Sequence, residues 1–218
     1  MTQISFNTEI LDQVSTRQIK EVMHFTTNPG LLGIFATGAV LSRDRLNTDR
    51  YVEHIYTPNC SDRLKDADWT DYVNMSISRV NGRMLGVSKN WHIDHELWWS
   101  VLAFDSELLG HDGVYFTTTN NTYPCVKRNP GVLGFSEMFA HSVEWGYYGS
   151  QIPRPPTRHS SLTTDLQAEV LYPGQVSLNH LRSIYVYEEN NIDYIESLYN
   201  IFPTVPKVPV AWRPEVFT

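Results

Sequence analysis

The chain has 218 residues, with 17 Lys and Arg against 24 Asp and Glu, a formal charge of −7. With 41% hydrophobic and 19% charged residues it can bury a core, which excludes a disordered chain. The acidic balance excludes a passive, strongly basic nucleic-acid coat, but not nucleic acid as a substrate, because local charge decides that.

Along the chain, Val22 to Phe25 reads as a short strand. A helix is predicted over 29–37, with Asn28 as its cap, Pro29 at its first position and Gly38 at its stop. Leu31, Ile34 and Phe35 form its apolar stripe, and Ala39 to Leu41 returns to extended chain. Residues 42–70 are polar and irregular and contain Arg43, Arg45, Arg50 and Arg63, as a binding loop would. DYVNMSI alternates, with Val73, Met75 and Ile77 on one face and Tyr72, Asn74 and Ser76 on the other. LWWSVLAF and GVYFTTT are further strands, the first apolar enough to be central. Val132, Leu133, Phe135, Met138 and Phe139 fit a short helix. Residues 145–166, with Gly146, Gly149, Pro153, Pro155 and Pro156, form a loop. QAEVLY and SIYVYEE are late strands, and Ile192, Ile195, Leu198 and Tyr199 mark a final helix. The Pro-rich tail from Pro203 packs as extended chain. No repeat or linker interrupts this order, so one α+β domain over 1–218 is expected, with a mainly antiparallel sheet.

Cys60 and Cys125 are too few for a disulfide framework, which points to a reducing compartment. The start, MTQISFNTEILDQ, lacks a basic segment followed by an apolar one, and no apolar run approaches a membrane span. A cytoplasmic protein without membrane contact is expected.

There is no Walker-type loop, no G-x-G-x-x-G after a strand and no G-x-S-x-G elbow. His92 and His95, near Asp94 and Glu96, have a spacing too weak to make a metal site, and no metal is expected. Three segments carry chemistry. Glu169 is a carboxylate within apolar QAEVLY, so it is either an exposed edge residue or lines a cleft, where it can stabilise positive charge developing on a sugar. Gln167, two residues earlier, shares its face if both lie on a strand. His24 closes a strand before small polar residues and a capped helix, which brings ring nitrogens and backbone N–H groups into one cleft, unless it is a structural histidine. Arg63 in NCSDRL can hold a diphosphate bidentately or be a solvated loop residue. In the loop before Glu169, Tyr147 and Tyr148 can stack an unpaired base or pack into the core, while Arg154, Arg158 and His159 can meet nucleic acid.

Taken in order, these segments resemble the DarT family of nucleic-acid ADP-ribosyltransferase toxins. The resemblance is carried by HFTTNPGLLGIFATGAVLS, HIYTPNCSDRL, DYVNMSISRVNGRML, DGVYFTTTNNT, GVLGFSEMFA and QAEVLYPGQVSL, within residues 20–188. It implies an ADP-ribosyltransferase fold, a split, mainly antiparallel sheet with peripheral helices around an NAD cleft. It implies cleavage of the nicotinamide–ribose bond and transfer of ADP-ribose to a nucleobase, usually in single-stranded DNA. It further implies a toxin–antitoxin or anti-phage role, opposed by a macrodomain-type antitoxin that removes the mark. By motif position, Glu169 is the catalytic glutamate, His24 the histidine on the NAD ribose and Arg63 the catalytic arginine on the cofactor. Thr26 and Asn28 fall near the cofactor, and Tyr72 opens the strand after the arginine segment. The family's arginine often sits in a doublet, whereas here the segment is Asp62-Arg63-Leu64, which keeps Arg45 and Arg50 as alternatives. Gln167 favours a base over a protein arginine as target. The alternatives are an mRNA-modifying transferase, a protein-modifying transferase and an inactive binding module.

Overall fold

A computed structural model of the chain describes residues 6–48, 68–91, 96–146 and 149–218. The elements in chain order are helix α1 (Thr8–Thr16), strand β1 (Glu21–Thr27), α2 (Asn28–Thr37), β2 (Ala39–Leu41), α3 (Arg43–Thr48), β3 (Tyr72–Ile77) and α4 (Gly82–Trp91). Then come β4 (Trp99–Asp105), β5 (Tyr115–Thr117), β6 (Arg128–Pro130), α5 (Gly131–Glu137), β7 (Ser142–Glu144) and β8 (Gln151–Pro153). β9 (Val170–Pro173), β10 (Gln175–Ser177), β11 (Leu181–Val186), α6 (Asn191–Ile201) and β12 (Val210–Trp212) complete the described chain.

The main sheet has the order β12-β11-β4-β1-β3-β9-β5-β6, antiparallel throughout except for the parallel β11–β12 pair. This is the expected α+β architecture. β4 is central, and its apolar run has a simple cause: both faces are covered. Leu102 and Phe104 pack into one core with Val22, Leu31 and Ile184. Val101 and Ala103 pack on the opposite side with Met23, Leu85, Tyr185 and Phe217. β3 buries Val73, Met75 and Ile77 in the first core, while Tyr72 and Asn74 are half-buried on the other face.

β1 pairs with β4 along its whole length, from Glu21↔Asp105 to Thr27↔Trp99. With β3 it pairs only at Val22↔Ile77 and Met23↔Ser76. Beyond Met23 the two strands part, and the sheet opens.

Several boundaries differ from the sequence-based expectation. The cap of α2 is Thr27, whose side chain accepts from Gly30 N at 3.2 Å, and not Asn28. Gly38, at φ 71°, ends that helix as expected. A helix, α3, occupies the start of the 42–70 segment, and residues 49–67 lie outside the described residues. The loop 145–166 contains β8, where Ile152 pairs with Val143 of β7. The tail supplies β12, because its edge pairs with β11. β9 starts only at Val170, so Glu169 immediately precedes it and Gln167 lies in a turn.

Gly134 on α5 sits against the preceding strand: a Cβ there would lie 1.9 Å from the Asn129 carbonyl oxygen. Gly134→Ala is therefore expected to destabilise the fold by about 1–3 kcal/mol or more, through a backbone shift that nothing flexible can absorb. Denaturant unfolding measures this directly.

Candidate active site

The opening between β1 and β3 is where polar side chains converge. His24 follows the last β1–β3 pair, and its Nδ1–H donates to the main-chain oxygen of Asn74 at 2.9 Å. The imidazole thus bridges the gap, with the tautomer set by the carbonyl acceptor. Thr26, two residues on, is buried, and its hydroxyl has no hydrogen-bond partner among the described residues. Asn28 ties the start of α2 to the chain ahead of β4: Asn28 Nδ2 donates to Glu96 O at 3.3 Å and Trp98 N donates to Asn28 Oδ1 at 3.2 Å.

Glu169 lies on the far side of the opening and is only 4% exposed, so it is not an exposed edge residue. Its Oε2 accepts from Asn74 Nδ2 at 3.1 Å and from Asn121 N at 3.0 Å. Its main chain is held as well. Glu169 N donates to Thr117 Oγ1 at 2.8 Å, and Thr117 N donates to Glu169 O at 2.9 Å. A buried carboxylate is tolerable only with such donors around it. Asn121 is in turn gripped by Arg128, whose Nε donates to Asn121 Oδ1 at 2.5 Å and whose Nη2 donates to Asn121 O. One connected chain therefore runs from His24 through Asn74, Glu169 and Asn121 to Arg128.

The loop before Glu169 is pinned by Asp165, also 4% exposed. Its carboxylate accepts from Thr119 Oγ1 at 2.5 Å and from Gln167 N at 3.0 Å. The side chain of Gln167 accepts from Tyr123 Oη at 3.3 Å. Gln167 and Glu169 are thus neighbours through a turn locked by Asp165, and not through a shared strand face.

Tyr72 belongs to an aromatic cluster with Trp69 and Tyr115, with ring centroids 5.1 Å and 6.0 Å from its own. Burial pushes the Tyr72 hydroxyl above its ordinary pKa, and Tyr115 adds to the effect. The Arg128 guanidinium lies 5.7 Å from the Trp69 ring centre. The register of β3, β9 and β5 puts Tyr72, Asn74 and Tyr115 on one face of this half-sheet, the face of Thr117 and Glu169.

The other expected residues have distinct surroundings. Arg154 turns onto its own loop, with Nη1 donating to Leu162 O at 2.8 Å and Nη2 to His159 O at 2.9 Å. His159 Nδ1 is 2.9 Å from Ser161 Oγ, and Arg158 is half-buried beside them. Arg45 is paired with Asp71, Nε to Oδ1 at 3.1 Å, away from Glu169 at the other end of β3. Arg63, Arg50, Tyr147, Tyr148, His92 and His95 lie outside the described residues. Among the described residues, no three His, Cys, Asp or Glu side chains cluster as metal ligands. No helix among them is long and apolar enough to cross a membrane.

Sequence reasoning did not single out Asn74, Asn121, Arg128 or Asp165. A signal for Asn121 was present in the run from Thr117 to Thr122, small polar residues directly after an apolar strand. Such a run in a buried place must be fully hydrogen-bonded, and here Thr117, Thr119 and Asn121 are.

Taken chemically, the site offers a fixed, desolvated carboxylate linked through Asn74 to an imidazole at a gap in the sheet. That arrangement suits binding a sugar and stabilising positive charge on it. The family model for DarT, described as ssDNA thymidine ADP-ribosyltransferase, matches residues 23–218. No curated protein matches the chain. The fold is similar to Thermus sp. 2.9 DarT in complex with NAD+, with a TM-score of 0.62 at 13% identity, covering 92% of this chain and 98% of that one. The complex of that protein with ADP-ribosylated ssDNA gives a TM-score of 0.60 at 13% identity, covering 92% and 97%. Thermosipho africanus DarTG in complex with ADP-ribose gives 0.52 at 13% identity, covering 91% of this chain and 51% of that one.

Proposed function

The chain belongs to the DarT family of NAD-dependent ssDNA ADP-ribosyltransferases, and on that premise we propose which residues perform the transfer and on what target. The single observation that carries the assignment is the buried Glu169 carboxylate, held by Asn74 and Asn121 beside the opening that His24 spans.

NAD is the co-substrate, as it is the ligand of the Thermus protein. The residues around the opening fit it. The buried Thr26 hydroxyl has an unused donor, and His24 and Glu169 offer complementary groups for ribose hydroxyls. Glu169 holds the ribose hydroxyl next to the anomeric carbon and stabilises the positive charge that grows as the bond to nicotinamide breaks. Nicotinamide leaves with the bonding pair. A base atom then bonds to the anomeric carbon and gives up its proton. Arg63 meets the diphosphate, and Tyr72 and Asn28 border the cofactor. Gln167, set by Asp165 and Tyr123, reads the incoming base. Tyr147, Tyr148, Arg154, Arg158 and His159 belong to the loop that receives the strand.

The family description makes thymidine in single-stranded DNA the target of choice. The single transferase domain acts as a cytoplasmic toxin, neutralised by a macrodomain-type antitoxin. Incubation with labelled NAD and a panel of oligonucleotides tests the target. Label is expected on thymidine-containing single-stranded DNA. Label on RNA instead, or on DNA lacking thymidine, would replace this reading with an RNA-directed or other-base transferase.

A further inference from the structure

Beside Arg154 and Arg158 of the loop before Glu169 stand two further cations, Arg17 and Lys20, that have no role in the site described above. Arg17, at the C-terminus of α1, lays its guanidinium over the Phe139 ring at 4.0 Å. Arg154 approaches the same ring at 5.8 Å. The loop is docked onto the helix end, with Ser160 Oγ donating to Arg17 O at 3.0 Å. Arg158 stands next to Arg154. The pKa of Arg17 is lowered by burial and by Arg154, and that of Arg154 by burial and by Arg158, as expected of like charges held together. None of Arg17, Lys20, Arg154 and Arg158 forms an ion pair among the described residues.

Lys20 and His159 continue the group into an adjoining hollow with Gln18, Glu21, Ser78 and Ser161. Glu21 is the acid there, and its carboxylate accepts the Tyr185 hydroxyl at 2.5 Å. The hollow is close to the reaction centre. β3, whose Asn74 holds Glu169, ends at Ile77, and the next residue, Ser78, donates its N–H to Glu21 O at 3.0 Å on the hollow's wall. In a chain of charge −7, several cations gathered here without an ion pair among the described residues repel one another, and a polyanion relieves that repulsion.

We propose that Arg17 and Lys20, backed by Arg154 and Arg158, form a phosphate track that holds the single strand flanking the target base. The inference rests on the nucleic-acid substrate proposed above and adds to it where the strand runs. Arg17 and Lys20 precede the span matched by the family model, which begins at residue 23, whereas Arg154 and Arg158 lie within it.

The test is the Michaelis constant for a thymidine-containing single-stranded oligonucleotide, measured against salt. Arg17→Gln with Lys20→Gln is expected to raise that constant about 10-fold. It should also flatten the plot of log kcat/KM against log salt by about 0.7 for each phosphate that is no longer neutralised. The Michaelis constant for NAD is the internal control and should not follow. Arg17→Lys, which keeps the charge, should keep the salt slope. An unchanged oligonucleotide constant and slope would overturn the proposal, and so would a rise confined to NAD. Should Arg17→Gln not fold, Lys20→Gln with Arg158→Gln carries the same slope test. Wild-type enzyme that labels no oligonucleotide would count against the proposed function itself, a result distinct from any of these.

Discussion

Glu169→Gln should lower ADP-ribose transfer by about 10²–10³-fold, the size seen when one preorganised electrostatic interaction with a transition state is removed. Gln has nearly the same volume, and its amide oxygen can still accept from Asn74 Nδ2 and Asn121 N. The fold should therefore stay intact, with a melting temperature near that of wild type. What disappears is the negative charge opposite the developing cation, and because Glu169 is only 4% exposed, water cannot replace it. Single-turnover transfer at saturating NAD isolates the effect. A variant that transfers within about 3-fold of wild type would remove Glu169 from the chemistry.

Asp165→Ala is the second large effect, and it strikes both stability and catalysis. The carboxylate is buried and accepts the Thr119 hydroxyl and the Gln167 N–H. Its removal leaves the buried Thr119 hydroxyl and the half-buried Gln167 N–H without this acceptor, a loss of about 2–4 kcal/mol. For a chain of this size that corresponds to a fall of about 5–15 °C in melting temperature. Gln167 and Glu169 follow Asp165 directly, so transfer should also fall, at temperatures where the variant is still folded. Asp165→Asn keeps one of the two oxygen acceptors and should recover part of both. If Asp165→Ala melts like wild type, the carboxylate is not the pin described here.

These two residues show how far a sequence reaches. Glu169 stands out because a charge inside an apolar segment needs a structural reason. Asp165 does not, because it sits among Thr163, Thr164 and Gln167, where a carboxylate looks ordinary. The difference is burial, which only the packed loop creates. β4 is legible as a central strand because an apolar run without alternation requires cover on both faces. α4 is not, since GRMLGVSKNW has no continuous apolar stripe and buries Leu85 and Ser88. β12 is hidden in a Pro-rich tail because its strand character depends on a neighbour, β11, brought in by the fold. Asn74, Asn121 and Arg128 likewise owe their place to strand register and a tertiary turn. A single sequence carries little trace of either.

Nucleoside mass spectrometry tests the central claim most directly. Purified protein is incubated with NAD and single-stranded DNA, and in parallel with RNA, and each is digested to nucleosides. A thymidine carrying ADP-ribose, formed by wild type and absent with Glu169→Gln, is the expected result. Unmodified DNA, or a modified nucleoside that persists in Glu169→Gln, would contradict it.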